Sequence, residues 1–177
     1  MSRLRPPVGA DDHALGPADA PVTLVEYGDY ECPHCGRAHP IVKRVLRRLG
    51  REIRFVFRNF PLGEMHPHAV QAAEAAEAAG LQGEFWRMHD RLFEHQDALE
   101  TQDLVGHAKQ IGLESARFAR DLESRALEDR VRSDFDSGVR SGVNGTPTFF
   151  IDGVRFDESW DEETLFAALR AASQQRR

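Results

Sequence analysis

Val22-Thr23-Leu24-Val25-Glu26-Tyr27-Gly28-Asp29-Tyr30-Glu31-Cys32-Pro33-His34-Cys35-Gly36 joins a strand to a helix through a pair of thiols. Its first six residues are rich in β-branched side chains and read as a buried strand. Pro33 falls at the first helical position, where its missing N–H is no loss and its fixed φ is already helical. Both cysteines of the chain lie in this one tetrapeptide. Three apart on a helical turn, they can close a disulfide with each other, and no further cysteine is available for a structural bridge. Such a pair reads as a redox centre whose disulfide forms and breaks during turnover.

The helix opened by the cysteines spans 33–49. Ile41, Val42, Val45, Leu46 and Leu49 recur at helical spacing. Lys43, Arg44, Arg47 and Arg48 cover the wet face, and Gly50 ends the helix. Pro40 lies inside it and predicts a kink. A second strand, Glu52 to Phe57, leads into an Arg58–Gly63 loop. From about 65 to 140 the pattern is helical, with segments His68–Ala79, Glu84–Phe93, Asp103–Ile111, Glu114–Leu122 and Arg125–Val139. β character returns at 148–151 and 154–156 around Asp152-Gly153, a strong hairpin signal. Asp161–Ala172 is a closing helix, followed by a polar tail, 173–177. The order β-α-β, helices, β-β-α predicts an α/β fold in which a sheet-based domain (21–62 and 142–177) holds an inserted helical domain (63–141). Residues 1–20 read as an arm.

With 177 residues, the chain suits one domain with an insertion and needs no disulfide or metal to fold. A net charge of −6 argues against nucleic acid or an anionic membrane as partner. No apolar run approaches the ~20 residues of a membrane span. Met1 to Pro7 is basic, but no apolar segment follows it as in a leader. The expected compartment is therefore the cytoplasm, or the periplasm or another extracytoplasmic space if a leader has been removed. A catalytic cysteine pair is at home in either.

Disulfide exchange needs a thiolate, whereas an ordinary thiol titrates near ~8.5. Cys32 is placed at a helix N-terminus, where orphan N–H groups and the positive dipole end favour its thiolate. His34 adds a donor or partial positive charge. A stabilised thiolate is a good leaving group and makes the disulfide oxidising. Cys35, one turn further in, suits the resolving role. The competing reading is half of a zinc site, but a second ligand pair is missing. Glu26 is the one charge in its strand. Buried, it would have a raised pKa and could relay a proton to Cys35; on an edge strand it would face solvent. Thr146-Pro147 precedes the strand at 148. A cis bond there would offer the Thr146 backbone to an extended substrate, although the residues alone favour an ordinary trans proline.

The segment Glu26 to Gly36 resembles the active site of the DsbA-like branch of the thioredoxin superfamily. Gly145-Thr146-Pro147-Thr148-Phe149-Phe150-Ile151-Asp152-Gly153 is similar to that family's cis-proline loop and hairpin. Arg58-Asn59-Phe60-Pro61-Leu62, with His66-Pro67, is similar to the start of its helical insertion. The likeness covers about residues 13–172. It implies a thioredoxin-like fold with an inserted all-helical domain, and thiol–disulfide oxidoreductase activity without a cofactor. It also implies Cys32 as nucleophile, Cys35 as resolving thiol, Pro147 in cis after Thr146, and Glu26 at a position where the family often keeps a buried acid.

The expected activity is therefore protein disulfide oxidation of DsbA type through the Cys32-Pro33-His34-Cys35 pair. The expected partners are protein or peptide thiols and disulfides and a separate redox partner, and the expected state is a monomer. A reductase, an isomerase or a glutathione-linked enzyme on the same fold is the alternative. Outside enzymes, the alternative is a metal-binding module using both thiolates with His34 or His39. His66, His68, His89, His95 and His107 are too scattered to predict a metal site. Tyr27, Phe60, Phe85, Trp86 and Phe149 read mainly as core, with one or two available for a peptide groove. Arg47, Arg48 and Arg51 read as a solvated helix end.

Overall fold

The computed structural model describes residues 1–176. The elements run β1 (His13–Leu15), β2 (Val22–Gly28), α1 (Pro33–Leu49), a short 3₁₀ turn, β3 (Ile53–Asn59), α2 (Ala69–Gly80), α3 (Phe85–Glu94), α4 (Thr101–Gln110), α5 (Ser115–Glu123), α6 (Glu128–Arg140), β4 (Thr148–Ile151), β5 (Val154–Phe156) and α7 (Glu162–Gln175). Two compact units emerge. One comprises Met1–Gly28, Arg37–Arg58 and Asp136–Arg177; the other comprises Asp29–Gly36 and Asn59–Phe135.

The first unit carries a sheet of order β1-β3-β2-β4-β5. β2 is therefore central, which explains why its residues are buried without alternation from Leu24 to Gly28: a strand covered on both faces has no wet side to alternate with. Val22, Leu24, Val25 and Tyr27 are buried, with Phe55, Val56 and Phe57 of β3 and Phe149 and Phe150 of β4. β2 and β4 are antiparallel and pair Glu26 with Phe149 and Tyr27 with Thr148. The β4–β5 turn has Asp152 at φ 49° and Gly153 at φ 80°, the left-handed pair that a two-residue hairpin requires. α7 packs on β2. Its N-cap Asp161 accepts from the Thr164 N–H at 3.0 Å, which holds the Asp161 carboxyl at about 2, below its ordinary range. Arg44 and Arg48 of α1 pair with Glu162 and Glu163 at the start of α7.

Four local expectations are corrected. Residues 1–20 are not a bare arm: His13–Leu15 forms β1 antiparallel to β3, and Leu4 is buried. The reason is Arg58, whose guanidinium forks onto Asp12 at 2.8 and 2.9 Å and also donates to the Pro6 carbonyl and the Tyr27 hydroxyl. A buried guanidinium needs such partners, and these fasten the N-terminal segment to the sheet. They also keep Arg58 and Asn59 in β3 instead of the loop. Finally, α6 starts at Glu128 because Arg125, at φ 57°, cannot continue a right-handed helix. At the C-terminus α7 extends to Gln175, three residues into the expected tail, and Arg177 lies outside the described residues.

The second unit is built on α2. Seven alanines of this helix are buried, and their small side chains let α3, α4 and α5 pack against it. Phe85, Met88, Leu92, Leu104, Phe118 and Leu122 fill the space between. A polar network within this unit is centred on Asn59. Asn59 donates to Asp134 from its backbone at 2.9 Å and from its side chain at 3.0 Å, and to Glu77 at 2.9 Å. Burial pushes the Asp134 carboxyl up to about 6, against the pull of Arg130.

Candidate functional site

The cysteine turn belongs to the second unit and is held by that unit's own side chains. Cys32 immediately precedes α1, and Pro33 is its first residue. The helix begins with the Gly36 N–H donating to the Cys32 carbonyl at 3.0 Å. Both cysteines are buried, Cys32 at 3% exposure and Cys35 at 0%. The Asp29 N–H points to Cys35 Sγ at 3.5 Å. His34 and Pro33 are exposed on the same turn.

Asp29 organises this loop. Its Oδ1 accepts from the N–H groups of Glu31 at 2.8 Å and Cys32 at 3.2 Å, an Asx-type cap on the start of the helix. Its Oδ2 accepts from the Leu62 N–H at 2.9 Å and His66 Nδ1 at 2.8 Å. Glu31 makes a parallel pair: it accepts from the His68 N–H at 2.6 Å and from His68 Nδ1 at 2.9 Å. On the carbonyl side, Gln96 Nε2 donates to Tyr30 O and to Cys32 O, each at 2.9 Å. Gly36 makes room for that amide, since a Cβ at Gly36 would collide with the Gln96 side chain. The Tyr30 hydroxyl meets His89 Nδ1 at 2.9 Å, and its ring packs on His89 and Phe93.

The two histidines are electrostatically tuned. Burial alone would push the His66 imidazolium down, but the hydrogen bond and charge of Asp29, with the charges of Cys32 and Glu31, hold it above the ordinary histidine value. For His68 the Glu31 hydrogen bond acts in the same direction. Neither histidine could be assigned from local sequence, because each partner lies 37 positions away. Asp29 did carry a signal: an Asp three residues before a helix-opening cysteine is at capping distance.

The remaining candidates fall in the first unit. Glu26 is 2% exposed on the central strand, which removes the edge-strand alternative. Its Oε1 has no hydrogen-bond partner, and burial raises its carboxyl to about 8. A Cβ at Gly28 would strike the Phe57 ring and crowd Glu26 Oε1. Thr146-Pro147 is cis, as the resemblance implied and the residues alone did not. It leads into Thr148, whose hydroxyl donates to Gly145 O at 2.7 Å. Of the aromatic candidates, Tyr27, Phe60, Phe85 and Phe149 are buried core, and Trp86 is half-buried.

A family model described as thioredoxin matches residues 9–171. The chain belongs to the thioredoxin family. Among solved structures, BdbD from Bacillus subtilis is similar with a TM-score of 0.87 at 23% identity, covering 98% of each chain. A thioredoxin-like oxidoreductase from Silicibacter pomeroyi superposes with a TM-score of 0.82 at 28% identity, covering 94% of each. Among curated sequences, the Na(+)/H(+) antiporter NhaA 1 of Salinispora arenicola is 49% identical over 170 residues, 96% of this chain and 26% of that protein. The chain thus spans about a quarter of the length of the antiporter relatives it matches.

Proposed function

We propose that the chain is a dithiol–disulfide oxidoreductase that oxidises cysteines of proteins or peptides. The observation that carries this reading is the placement of Cys32 at the start of α1 with Cys35 buried one turn behind it. A thiolate at a helix N-terminus is stabilised, and a stabilised thiolate leaves readily, which makes the disulfide an oxidant. A substrate thiolate attacks Cys32 Sγ of the Cys32–Cys35 disulfide, and Cys35 departs as a thiolate. A second substrate thiolate then attacks the substrate sulfur of the mixed disulfide and releases Cys32. The substrate gives up two electrons and two protons to the Cys32–Cys35 pair, and a partner disulfide, reduced in exchange, restores the oxidised form. His34 and Pro33 shape the exposed side of the turn. Glu26, neutral until about pH 8, is assigned proton exchange with the resolving thiol. Thr146-Pro147 is assigned the backbone pairing of an extended substrate.

Ion transport is not carried over from the antiporter relatives. Among the described residues no helix is long and apolar enough to cross a membrane. Cys32→Ser is expected to abolish oxidation of a dithiol peptide, and Cys35→Ser to accumulate mixed disulfides on non-reducing gels. Retained turnover in the first variant overturns the assignment of the nucleophile. Equilibration with glutathione fixes the direction: a potential near about −120 mV supports the oxidase, and one near about −270 mV a thioredoxin-like reductant.

A further inference from the structure

His66 has no part in the exchange steps above, yet it is fastened to the cysteine turn by a buried carboxylate. Asp29 has no exposed side-chain surface, while the His66 side chain keeps 16% exposure. One Asp29 oxygen holds the Cys32 N–H at 3.2 Å and the other holds His66 Nδ1 at 2.8 Å. The histidine is pinned from its own backbone as well. Its N–H donates to Leu62 O at 2.8 Å, and the Leu62 N–H returns to Asp29 at 2.9 Å. The ring cannot swing away without stripping a donor from a buried carboxylate, but it can still exchange a proton with solvent.

We propose that His66 is a positioning residue for Cys32: Asp29 holds its imidazolium where the positive charge supports the Cys32 thiolate, so that the nucleophile's reactivity follows the protonation of His66. This deepens the exchange reading and rests on Cys32 being the reacting thiol. The charged groups that face His66 are Asp29 and Glu31 from the segment before α1, and Cys32 itself; all three favour the protonated ring, and burial opposes them. The coupling is reciprocal. A thiolate that favours the imidazolium is favoured by it to the same extent. The support acts at acid pH, where His66 is charged, and the raised histidine value extends it above the range of an ordinary imidazole. It fades at alkaline pH, where a cysteine ionises unaided near ~8.5.

The test uses the Cys35→Ser protein, which keeps one thiol, and follows the rate of its alkylation by iodoacetamide from pH 4 to 9. His66→Gln can keep a side-chain N–H for Asp29 while losing the charge. It is expected to slow alkylation about tenfold at pH 6, the effect of a one-unit rise in the thiol pKa, and to rejoin its parent at alkaline pH. Superimposable pH profiles would overturn the proposal. The reciprocal measurement guards against a variant that fails to fold: the His66 ring is titrated by NMR in the reduced protein, which carries the Cys32 thiol, and in Cys32→Ser. Its midpoint should fall when the thiol is removed, and an unchanged midpoint sinks the proposal. Alkylation that responds to His66 in a protein that cannot oxidise dithiol peptides overturns the exchange reading while leaving this one standing.

Discussion

Glu26 and Asp29 are buried acids three residues apart in the chain, and the fold treats them in opposite ways. Glu26, on the central strand of the sheet unit, has an Oε1 with no hydrogen-bond partner, and burial carries its carboxyl to about 8. Asp29, in the unit that holds the cysteine turn, accepts from Glu31, Cys32, Leu62 and His66. Their exposures, 2% and 1%, do not distinguish them; their donors do. A buried carboxyl without donors keeps its proton into the neutral range and can give it up there, which suits acid–base work. One ringed by N–H groups is a fixed acceptor, and its use is to hold backbone in place.

Glu26→Gln tests the first half of that contrast. In the folded protein Glu26 keeps its proton until about pH 8, against an ordinary value of 4.5. Between those values the folded state binds more protons than the unfolded one, so stability is fully present below 4.5 and declines as pH rises. The decline is ~1.4 kcal/mol for each pH unit of the window, on the order of 5 kcal/mol across it. Gln has nothing to ionise and should remove this slope, leaving the variant more stable than the parent at pH 8. Asp134, raised to about 6, contributes a slope of the same sign in both proteins, so the difference between them isolates Glu26. Urea unfolding at pH 5 and pH 8 measures it, and equal slopes in parent and variant would remove Glu26 as the proton holder.

Asp29→Asn tests the second half. The amide keeps one acceptor oxygen but turns an NH₂ toward N–H groups that need an acceptor. Hydrogen bonds to a charged group are worth ~1.5–3 kcal/mol each, and unsatisfied buried donors cost a similar amount. The expected loss is about 3 kcal/mol, read as a lower urea midpoint at unchanged m-value. A loss below about 0.5 kcal/mol would show that the four contacts do not organise the loop.

How much of this was legible follows from the range of each interaction. β2, α1 and the Asp152-Gly153 hairpin depend on neighbours in sequence, and their residues announced them. Glu26 was ambiguous because a lone acid in an apolar run reads either as an edge or as a buried proton holder. Only the strand order, with β2 between β3 and β4, decides it. The three-residue β1 has too little pattern of its own and exists because Arg58 reaches back to Asp12. The cis state of Pro147 came from resemblance and not from residue chemistry. The His66–Asp29 and His68–Glu31 pairs join positions 37 apart, and no local periodicity reports that.

The Gly36–Gln96 contact sharpens the contrast from the carbonyl side, with the smallest energies. Gln96 is to the carbonyls of Tyr30 and Cys32 what Asp29 is to the N–H groups of the same turn. Gln96→Ala withdraws both hydrogen bonds, but the Cys32 carbonyl keeps the Gly36 N–H, so the cost should be only about 1 kcal/mol. Gly36 lies within α1 and is absent from the left-handed positions, so alanine there should help the helix by ~0.5–1 kcal/mol on propensity alone. In the parent protein the added methyl collides with the Gln96 amide, which must swing away and give up its two hydrogen bonds, at the same cost of about 1 kcal/mol. Gly36→Ala is therefore expected to stabilise the Gln96→Ala protein and to leave the parent nearly unchanged. A double-mutant cycle on urea midpoints reads that coupling of about 1 kcal/mol directly. If Gly36→Ala has the same effect in both backgrounds, the glycine is not there to admit Gln96, and the carbonyls of the cysteine turn depend on something other than that amide.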